Sequence, residues 1–312
     1  MDEEKKEFRY AVEVEGLVKN YKKKSVFSDM SVKLNENRII GLIGENGSGK
    51  TTFFKILAGL ENYQKGIVRT FDADPWKDMG VREKMILSMH DLPYGRWGTK
   101  LKHIEDYYEI MYDEFDRKFA DGLMQMFELS KNQNYHKLSV GMKSIFNFIL
   151  AMASRCSLTL LDEPFIGVDV KRRKVMYDVL LRDYMEYERT FVVSSHNISE
   201  IEGVLSDIMF IHEGKVLFYK EMDEVREMLC ELSADREIIE SIREEIRPED
   251  IVEAEHHETG SILIVRAKDN QDLIKRAREK GVQVSWVSPE NVCACFMRLQ
   301  NEGMLDSLWE RK

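Results

Sequence analysis

One nine-residue run constrains this chain more than any other feature of its sequence. Residues 44–52 read GENGSGKTT and fit the pattern G-x-x-x-x-G-K-[ST], whose glycines let backbone N–H groups curl around a phosphate. The apolar run 39–43 predicts a buried parallel strand before it, and residues 51–60 predict a helix after it. A bound phosphate would then lie at the positive N-terminal end of that helix. With strand and helix in place, the run predicts a nucleoside triphosphate site rather than an accidental glycine-rich turn.

Two side chains of this loop have predicted roles of their own. Lys50 is expected to reach the β- and γ-phosphates, and the Thr51 hydroxyl is expected to ligate Mg²⁺. The loop residues expected to surround the nucleotide are Gly44, Asn46, Gly47, Ser48, Gly49, Lys50, Thr51 and Thr52.

Two later apolar runs end in polar side chains, as buried strands do at a phosphate site. Residues 158–161 lead into Asp162 and Glu163, and residues 191–195 lead into His196. The aspartate can hold Mg²⁺ through its water shell, and the neighbouring carboxylate can act as the base toward an attacking water. Ligands of open parallel sheets bind outside the carboxyl ends of the strands, so His196 is predicted to contact the γ-phosphate. The alternatives are an aspartate that caps a helix and a structural histidine.

The length and the net charge of the chain limit the classes of protein to which it can belong. A chain of 312 residues with 43% apolar residues exceeds one typical domain, so two units are predicted. The net charge of −10 argues against a nucleic-acid partner, because phosphate backbones require clustered Lys and Arg. The short basic run 22–24 is interpreted as a solvated turn.

Cysteine use and the N-terminal sequence predict a cytoplasmic protein. The four cysteines are too few and too irregularly spaced for a disulfide framework, and Cys293 and Cys295 lack a second pair of metal ligands. The adjacent His256 and His257 are interpreted as solvated rather than as a metal site. The N-terminus, MDEEKKEFRY, is charged and has no signal-peptide pattern. No apolar run approaches the roughly 18 residues that span a bilayer, so membrane association is expected only through a partner.

A hairpin upstream of the loop carries an aromatic residue. Residues 12–16 alternate as an opening strand should, and residues 30–34 form a second strand-like segment. Tyr21 lies between them, where its ring can stack on an adenine base or can cap the edge of a sheet. The spacing alone does not decide between the two.

The middle of the chain changes to a helical pattern. Residues 85–89 predict a strand, and residues 101–130 predict helices with an aromatic stripe that is either core or a partner-docking surface. Ser139 is predicted to cap a helix over 143–153, and Gly141 permits close backbone approach to the end of that helix.

These motifs, in this order, make residues 10–225 resemble the ATP-binding subunit of an ABC transporter. The resemblance rests on the loop 44–52, the signature-like LSVGM of residues 138–142, the run 158–163 and His196. LSVGM followed by a lysine is similar to the L-S-x-G-M-K signature of a branch of bacterial exporters. The resemblance implies an α/β fold, the P-loop NTPase of the ABC type, with ATP and Mg²⁺ as cofactors.

The resemblance also implies how such a chain works. Two cassettes dimerise head to tail, and each ATP lies between the loop of one copy and the helix headed by Ser139 and Gly141 of the other. Tyr21 would stack on the adenine, and Asp169 would belong to the loop that passes signals across the dimer. Each chain would need a second copy or a paralogue. It would also need a separate transmembrane permease, which would hold it at the inner face of the cell membrane.

One position departs from the family pattern. The family has a glutamine in the loop between the catalytic core and the helical subdomain, and residues 86–98 contain none. His90 and Asp91 stand nearest, and either could contact the water shell of Mg²⁺. Our hypothesis is that Asp91 substitutes for the glutamine.

The resemblance divides the chain into two domains. Residues 1–225 would form the ATP-binding domain, with a parallel-sheet core, an antiparallel β subdomain and a helical subdomain over about 92–155. Residues 226–312 would form a small α+β accessory domain with a role in dimerisation or regulation. Its predicted elements are a helix over 231–247, a strand over 261–265, a helix over 272–280, a strand over 282–287 and a helix from 289.

Three functions remain in competition. The leading one is the ATPase of a membrane exporter whose permease is a separate polypeptide. A soluble ABC ATPase that acts on ribosomes or nucleic acid is disfavoured, because such proteins carry two cassettes or long inserted coiled coils. A partner that binds ATP without turnover is disfavoured because Glu163 and His196 are both present.

Overall fold

The computed structural model describes residues 9–22, 24–94, 98–257 and 260–309, with side chains described up to residue 299. The chain separates into two compact units, with the division between Tyr219 and Lys220. The division into two domains after residue 225 stays a prediction.

The first unit alternates strands and helices. In chain order its elements are β1 (Tyr10–Tyr21), β2 (Lys24–Asn35), β3 (Ile39–Ile43), α1 (Lys50–Leu57), β4 (Lys65–Thr70), α2 (Met79–Glu83), β5 (Met85–Met89), α3 (Leu101–Met111), α4 (Arg117–Met126), α5 (Val140–Ala153), β6 (Leu158–Asp162), α6 (Val170–Glu186), β7 (Thr190–Ser195), β8 (Asp207–His212) and β9 (Lys215–Glu221).

A six-stranded sheet forms the centre of this unit, with strand order β5-β6-β7-β3-β8-β9. The pairs β5/β6, β6/β7, β7/β3 and β3/β8 are parallel. Every residue of β3, β6, β7 and β8 is buried, which explains why these strands read as unbroken apolar runs. The predicted α/β class is confirmed, and the carboxyl ends of the parallel strands meet along one edge of the sheet.

A second, antiparallel sheet has the order β2-β1-β4. Helix α1 shares one apolar core with both sheets through Phe53, Phe54 and Leu57. It begins one residue before the predicted start and ends three residues early. Gly59 stops it, because at φ +64° this glycine closes a Schellman cap in which Leu60 N–H donates to Lys55 O.

The helical part of the unit lies between β5 and β6 in the chain. Helix α5 begins at Val140, three residues before its predicted start, and the Ser139 hydroxyl caps it by accepting from Met142 N–H at 3.3 Å. The aromatic stripe predicted over 101–130 is divided: Ile104 is buried, whereas Tyr107 is 69% exposed. The core interpretation therefore holds for Ile104, and the interpretation as a partner-docking surface stays a prediction for Tyr107.

The second unit is a β-α-β-β-α-β arrangement followed by a helix. Its elements are α7 (Met222–Arg226), β10 (Leu229–Ala234), α8 (Arg236–Arg243), β11 (Ile251–His257), β12 (Gly260–Arg266), α9 (Gln271–Glu279), β13 (Gln283–Trp286) and α10 (Pro289–Trp309). The strands form an antiparallel sheet in the order β11-β12-β10-β13. The strand predicted over 261–265 and the helix predicted over 272–280 are present as β12 and α9.

The predicted helix over 231–247 is too long at both ends, since α8 runs only from Arg236 to Arg243. Residues 229–234 form the inner strand β10, in which Cys230 and Leu232 are fully buried and alternate with the partly exposed Glu231 and Ser233. This alternation of buried and partly exposed residues is typical of a strand, and the pairing of β10 with β12 and β13 stabilises it. The strand β11 was missed, because at this edge position Val252 is the one buried residue of the strand among the described residues.

None of the helices in the described ranges is both long enough and apolar enough to cross a bilayer.

We expect Leu232→Ala to lower the free energy of unfolding of the second unit by about 2–5 kcal/mol, the usual cost of a cavity left by a buried leucine. Urea denaturation monitored by amide hydrogen exchange measures this change. Ser233→Ala, next to it on the opposite face of β10, serves as the control and should cost less than about 1 kcal/mol. Equal losses for both variants would contradict the strand assignment.

Candidate functional site

The glycine-rich loop lies between β3 and α1, at the carboxyl edge of the parallel sheet. A Cβ at Gly44 would come within 2.4 Å of the Ile211 carbonyl oxygen. A Cβ at Gly49 would come within 2.7 Å of the Phe27 ring, and Gly49 has φ +109°. Only glycine satisfies both positions, so the loop can follow the surface of the sheet and direct its N–H groups outward.

A cavity of about 270 Å³ opens beside this loop. Asn46, Gly47, Gly49, Lys50, Thr51 and Thr52 line it, together with Tyr21, Lys24, Val26 and Glu163. Gly44 and Ser48 of the predicted set do not line it: Gly44 is buried against β8, and Ser48 is buried close to Gly44. The cavity therefore joins the loop, the hairpin and the end of β6.

Lys50 is buried and points back onto its own loop. Its Nζ donates to Gly44 O at 2.6 Å and to Glu45 O at 3.2 Å, and it lies 3.7 Å from Glu163 Oε1. Burial lowers the pKa of Lys50, and the charges of Glu163 and Asp162 oppose that shift. An anion that entered the cavity would place negative charge beside the buried ammonium and so favour its charged form.

Hydrogen bonds bring the predicted metal ligands together. Thr51 Oγ1 donates to Asp162 Oδ2 at 2.6 Å, across the gap between α1 and β6. A hydroxyl and a carboxylate are oxygen ligands of the kind that Mg²⁺ prefers, so these two residues fit that ion. Among the described residues no group of three or more His, Cys, Asp and Glu could hold a metal. Phosphate and water oxygens would therefore have to supply the other ligands.

Glu163 and His196 are in direct contact. His196 Nδ1 lies 3.0 Å from Glu163 Oε2 and 3.2 Å from Oε1, so the imidazole contacts both oxygens of the carboxylate. Glu163 has φ +49°, a left-handed conformation that is uncommon for a residue with a side chain. Such strained backbone concentrates at functional sites.

Ser139, Gly141 and Asp169 do not line this cavity. Ser139 and Gly141 lie at the start of α5, and Asp169 ends the loop before α6. These two segments touch each other: a Cβ at Gly141 would come within 2.1 Å of the Gly167 carbonyl oxygen, and Ser144 Oγ donates to Ile166 O at 2.9 Å. Asp169 caps α6 by accepting from the backbone N–H of the helix. Their action on a nucleotide bound to a second chain stays a prediction.

Asp91 also lies outside the set of cavity-lining residues. Its Oδ1 accepts from Lys143 Nζ at 2.9 Å, and this hydrogen bond lowers the pKa of Asp91. The ion pair links the segment after β5 to the helix α5. The hypothesis that Asp91 replaces the glutamine of the family stays a prediction.

Two residues escaped the sequence analysis. Lys24, interpreted as part of a solvated turn, pairs with Tyr21 across the hairpin and lines the cavity. Ser194 is fully buried and donates to Asp162 Oδ1 at 2.6 Å. The pairing register could not be read from the sequence, whereas the polar end of the 191–195 run was a signal for Ser194.

Tyr21 lies at the cavity, where its ring could stack on an adenine base or cap the edge of the sheet. Its ring is 40% exposed and lines the cavity. Lys19 Nζ lies over one face of the ring, 4.4 Å from the ring centroid. The same Nζ lies 2.6 Å from Glu61 Oε1. A buried cation that fixes the ring in place favours a stacking role.

Comparison with known proteins finds ATP-binding proteins among the relatives of this chain. Residues 27–166 match the family described as ABC transporter. The ABC transporter ATP-binding protein YtrB of Bacillus subtilis is 27% identical over 76% of this chain and 82% of its own length. The phosphonates import ATP-binding protein PhnC of Fusobacterium nucleatum is 26% identical over 69% and 94%. A dimeric ATP-binding cassette bound to ADP and Pi superposes with a TM-score of 0.60 at 21% identity, over 68% of this chain and 98% of that one.

We expect Lys24→Ala to weaken nucleotide binding about fivefold, because the variant removes a cation at the mouth of the cavity, a contact worth about 1 kcal/mol. Titration with a fluorescent ATP analogue measures the dissociation constant. Lys22→Ala is the matched control, since Lys22 is exposed in the same turn and does not line the cavity. A control that weakens binding as much as Lys24→Ala would show that only the general charge of the turn matters.

Proposed function

We propose that this chain, an ATPase subunit of the ABC transporter family, powers an exporter through ATP-driven dimerisation and acts with a separate membrane permease. The observation that carries the catalytic part is the convergence of Lys50, Thr51, Asp162, Glu163 and His196 at one edge of the sheet.

The proposed reaction is attack of water on the γ-phosphate of ATP, which breaks the bond to the β,γ-bridging oxygen and releases ADP and phosphate. Lys50 leaves the loop carbonyls and pairs with the phosphates, which relieves the cost of burying its ammonium. Mg²⁺ bound beside Thr51 and Asp162 would neutralise negative charge on the phosphates. Glu163 orients the water and takes its proton, and His196 holds the Glu163 carboxylate in position.

Dimerisation is supported by the surface where the start of α5 touches the loop before α6. Val140, Ile166 and Val170 are 51%, 40% and 80% exposed, so apolar side chains surround the end of α5. Helix α5 directs its N-terminus, capped by Ser139, away from the interior. A phosphate of a second chain placed there would meet the positive end of the helix.

Glu163→Gln should keep the shape of the site and remove the base, so the variant should bind ATP and accumulate as a dimer. Size-exclusion chromatography with ATP and Mg²⁺ measures the dimer fraction, and phosphate release measures turnover. Wild type without nucleotide is the monomer reference. Equal and negligible turnover in both proteins would favour a partner that binds ATP without hydrolysis.

A docking surface for the permease is supported on α3. Tyr107, Ile110 and Met111 are 69%, 81% and 60% exposed, and together they form an apolar face on one helix. Contiguous exposed apolar side chains mark interaction sites more often than isolated ones do. The direction of transport rests on the resemblance of residues 138–143 to the exporter signature, and one relative is named as an import protein.

Ile110→Glu should reduce recovery of the chain with membranes at least about fivefold and leave its basal ATPase rate within about twofold, because the side chain lies outside the catalytic site. Co-sedimentation with membranes that contain the candidate permease measures recruitment. Met185→Glu is the matched control, an 83% exposed methionine on α6. A chain that stays soluble with every candidate permease would instead favour the soluble ATPase.

A further inference from the structure

Ser194 occupies a position that links the two carboxylates of the site. It is fully buried on β7, next to the end of β6. Its hydroxyl donates to Asp162 Oδ1 at 2.6 Å and accepts from Glu163 N–H at 2.9 Å. One side chain therefore contacts the predicted metal ligand and the backbone of the predicted base.

The contact to Glu163 coincides with the strained backbone of that residue. At φ +49° Glu163 departs from the extended conformation of β6 and takes a backbone conformation that is unfavourable for a residue with a side chain. Such a conformation persists only where the surroundings impose it. Ser194 Oγ holds the backbone N–H of Glu163, and His196 Nδ1 holds its carboxylate, so the residue is fixed at both ends.

The contact to Asp162 fixes the plane of its carboxylate. Oδ1 accepts from Ser194, and Oδ2 accepts from Thr51 at 2.6 Å. Without the hydroxyl of Ser194, the Asp162 side chain would lose the contact that keeps Oδ2 directed at Thr51. The Glu163 N–H would also be left without its partner, in a largely buried position.

We propose that Ser194 is a positioning residue for ATP hydrolysis, which holds the Glu163 backbone in its left-handed conformation and orients Asp162 toward Thr51. This role rests on the proposed ATPase site. Ser194 itself does not line the cavity, so it acts through its two neighbours rather than on the nucleotide.

Ser195 provides a matched comparison on the same strand. It is also buried, but its hydroxyl donates to Asn197 O at 2.9 Å and accepts from Asn197 N–H at 3.0 Å. This hydroxyl stabilises only the local turn after β7. A general loss of packing or of polar contacts at the end of β7 would therefore affect both serines alike.

The test compares Ser194→Thr with Ser194→Val, two side chains of nearly the same shape, of which only threonine keeps the hydroxyl. We expect Ser194→Val to lower kcat about tenfold or more while KM for ATP changes less than about threefold. Ser194→Thr and the control Ser195→Ala should stay within about threefold of the wild-type kcat. Equal kcat for the threonine and valine variants, or an equal loss in Ser195→Ala, would overturn the proposal.

A binding measurement separates this proposal from the ATPase function on which it rests. Calorimetric titration with ATP, with and without Mg²⁺, gives the factor by which the ion strengthens binding. We expect Ser194→Val to reduce that factor at least about threefold and Ser194→Thr to keep it, because the hydroxyl orients Asp162. An unchanged factor in Ser194→Val would overturn the role at Asp162. Absence of turnover in the wild type would contradict the ATPase function and leave this comparison intact.

Discussion

The hydrogen bond from Thr51 to Asp162 is the interaction on which the site depends. It joins the first turn of α1 to the end of β6 through two residues that are 111 positions apart in the chain. The bond is possible because β3, β6 and β7 are parallel neighbours, so their carboxyl ends meet at one edge. Ser194 extends the same network to a third strand.

The buried ammonium of Lys50 gives the site a positive charge that an anion could neutralise. Lys50 is buried among carbonyl oxygens and lies close to Glu163, and its pKa is lowered because burial outweighs the nearby carboxylates. The chain as a whole carries a net charge of −10. The positive character of the loop is therefore local, and it arises from Lys50, Lys24 and the backbone N–H groups at the start of α1.

The first unit keeps two apolar surfaces apart from its core. One surrounds the N-terminus of α5, and the other lies on α3. Helix α3 packs against the interior through Leu101 and Ile104, so its exposed apolar face is separate from that contact. Contiguous exposed apolar side chains are more typical of interaction surfaces than isolated ones, and we propose these two surfaces as the places where partners bind.

The sequence by itself determined the loop, the buried strands and the order of the motifs, because these depend on local patterns: glycine spacing, unbroken apolar runs and a serine before a helix. Residues 85–89 and 39–43 were assigned to strands with the bounds that the structure has. Only the tertiary structure decided that Lys24 faces the cavity, that Ser194 bridges Asp162 and Glu163, and that residues 229–234 form a strand. Each of these depends on which strands become neighbours and in what register, and pairing between distant segments leaves no local trace in the sequence.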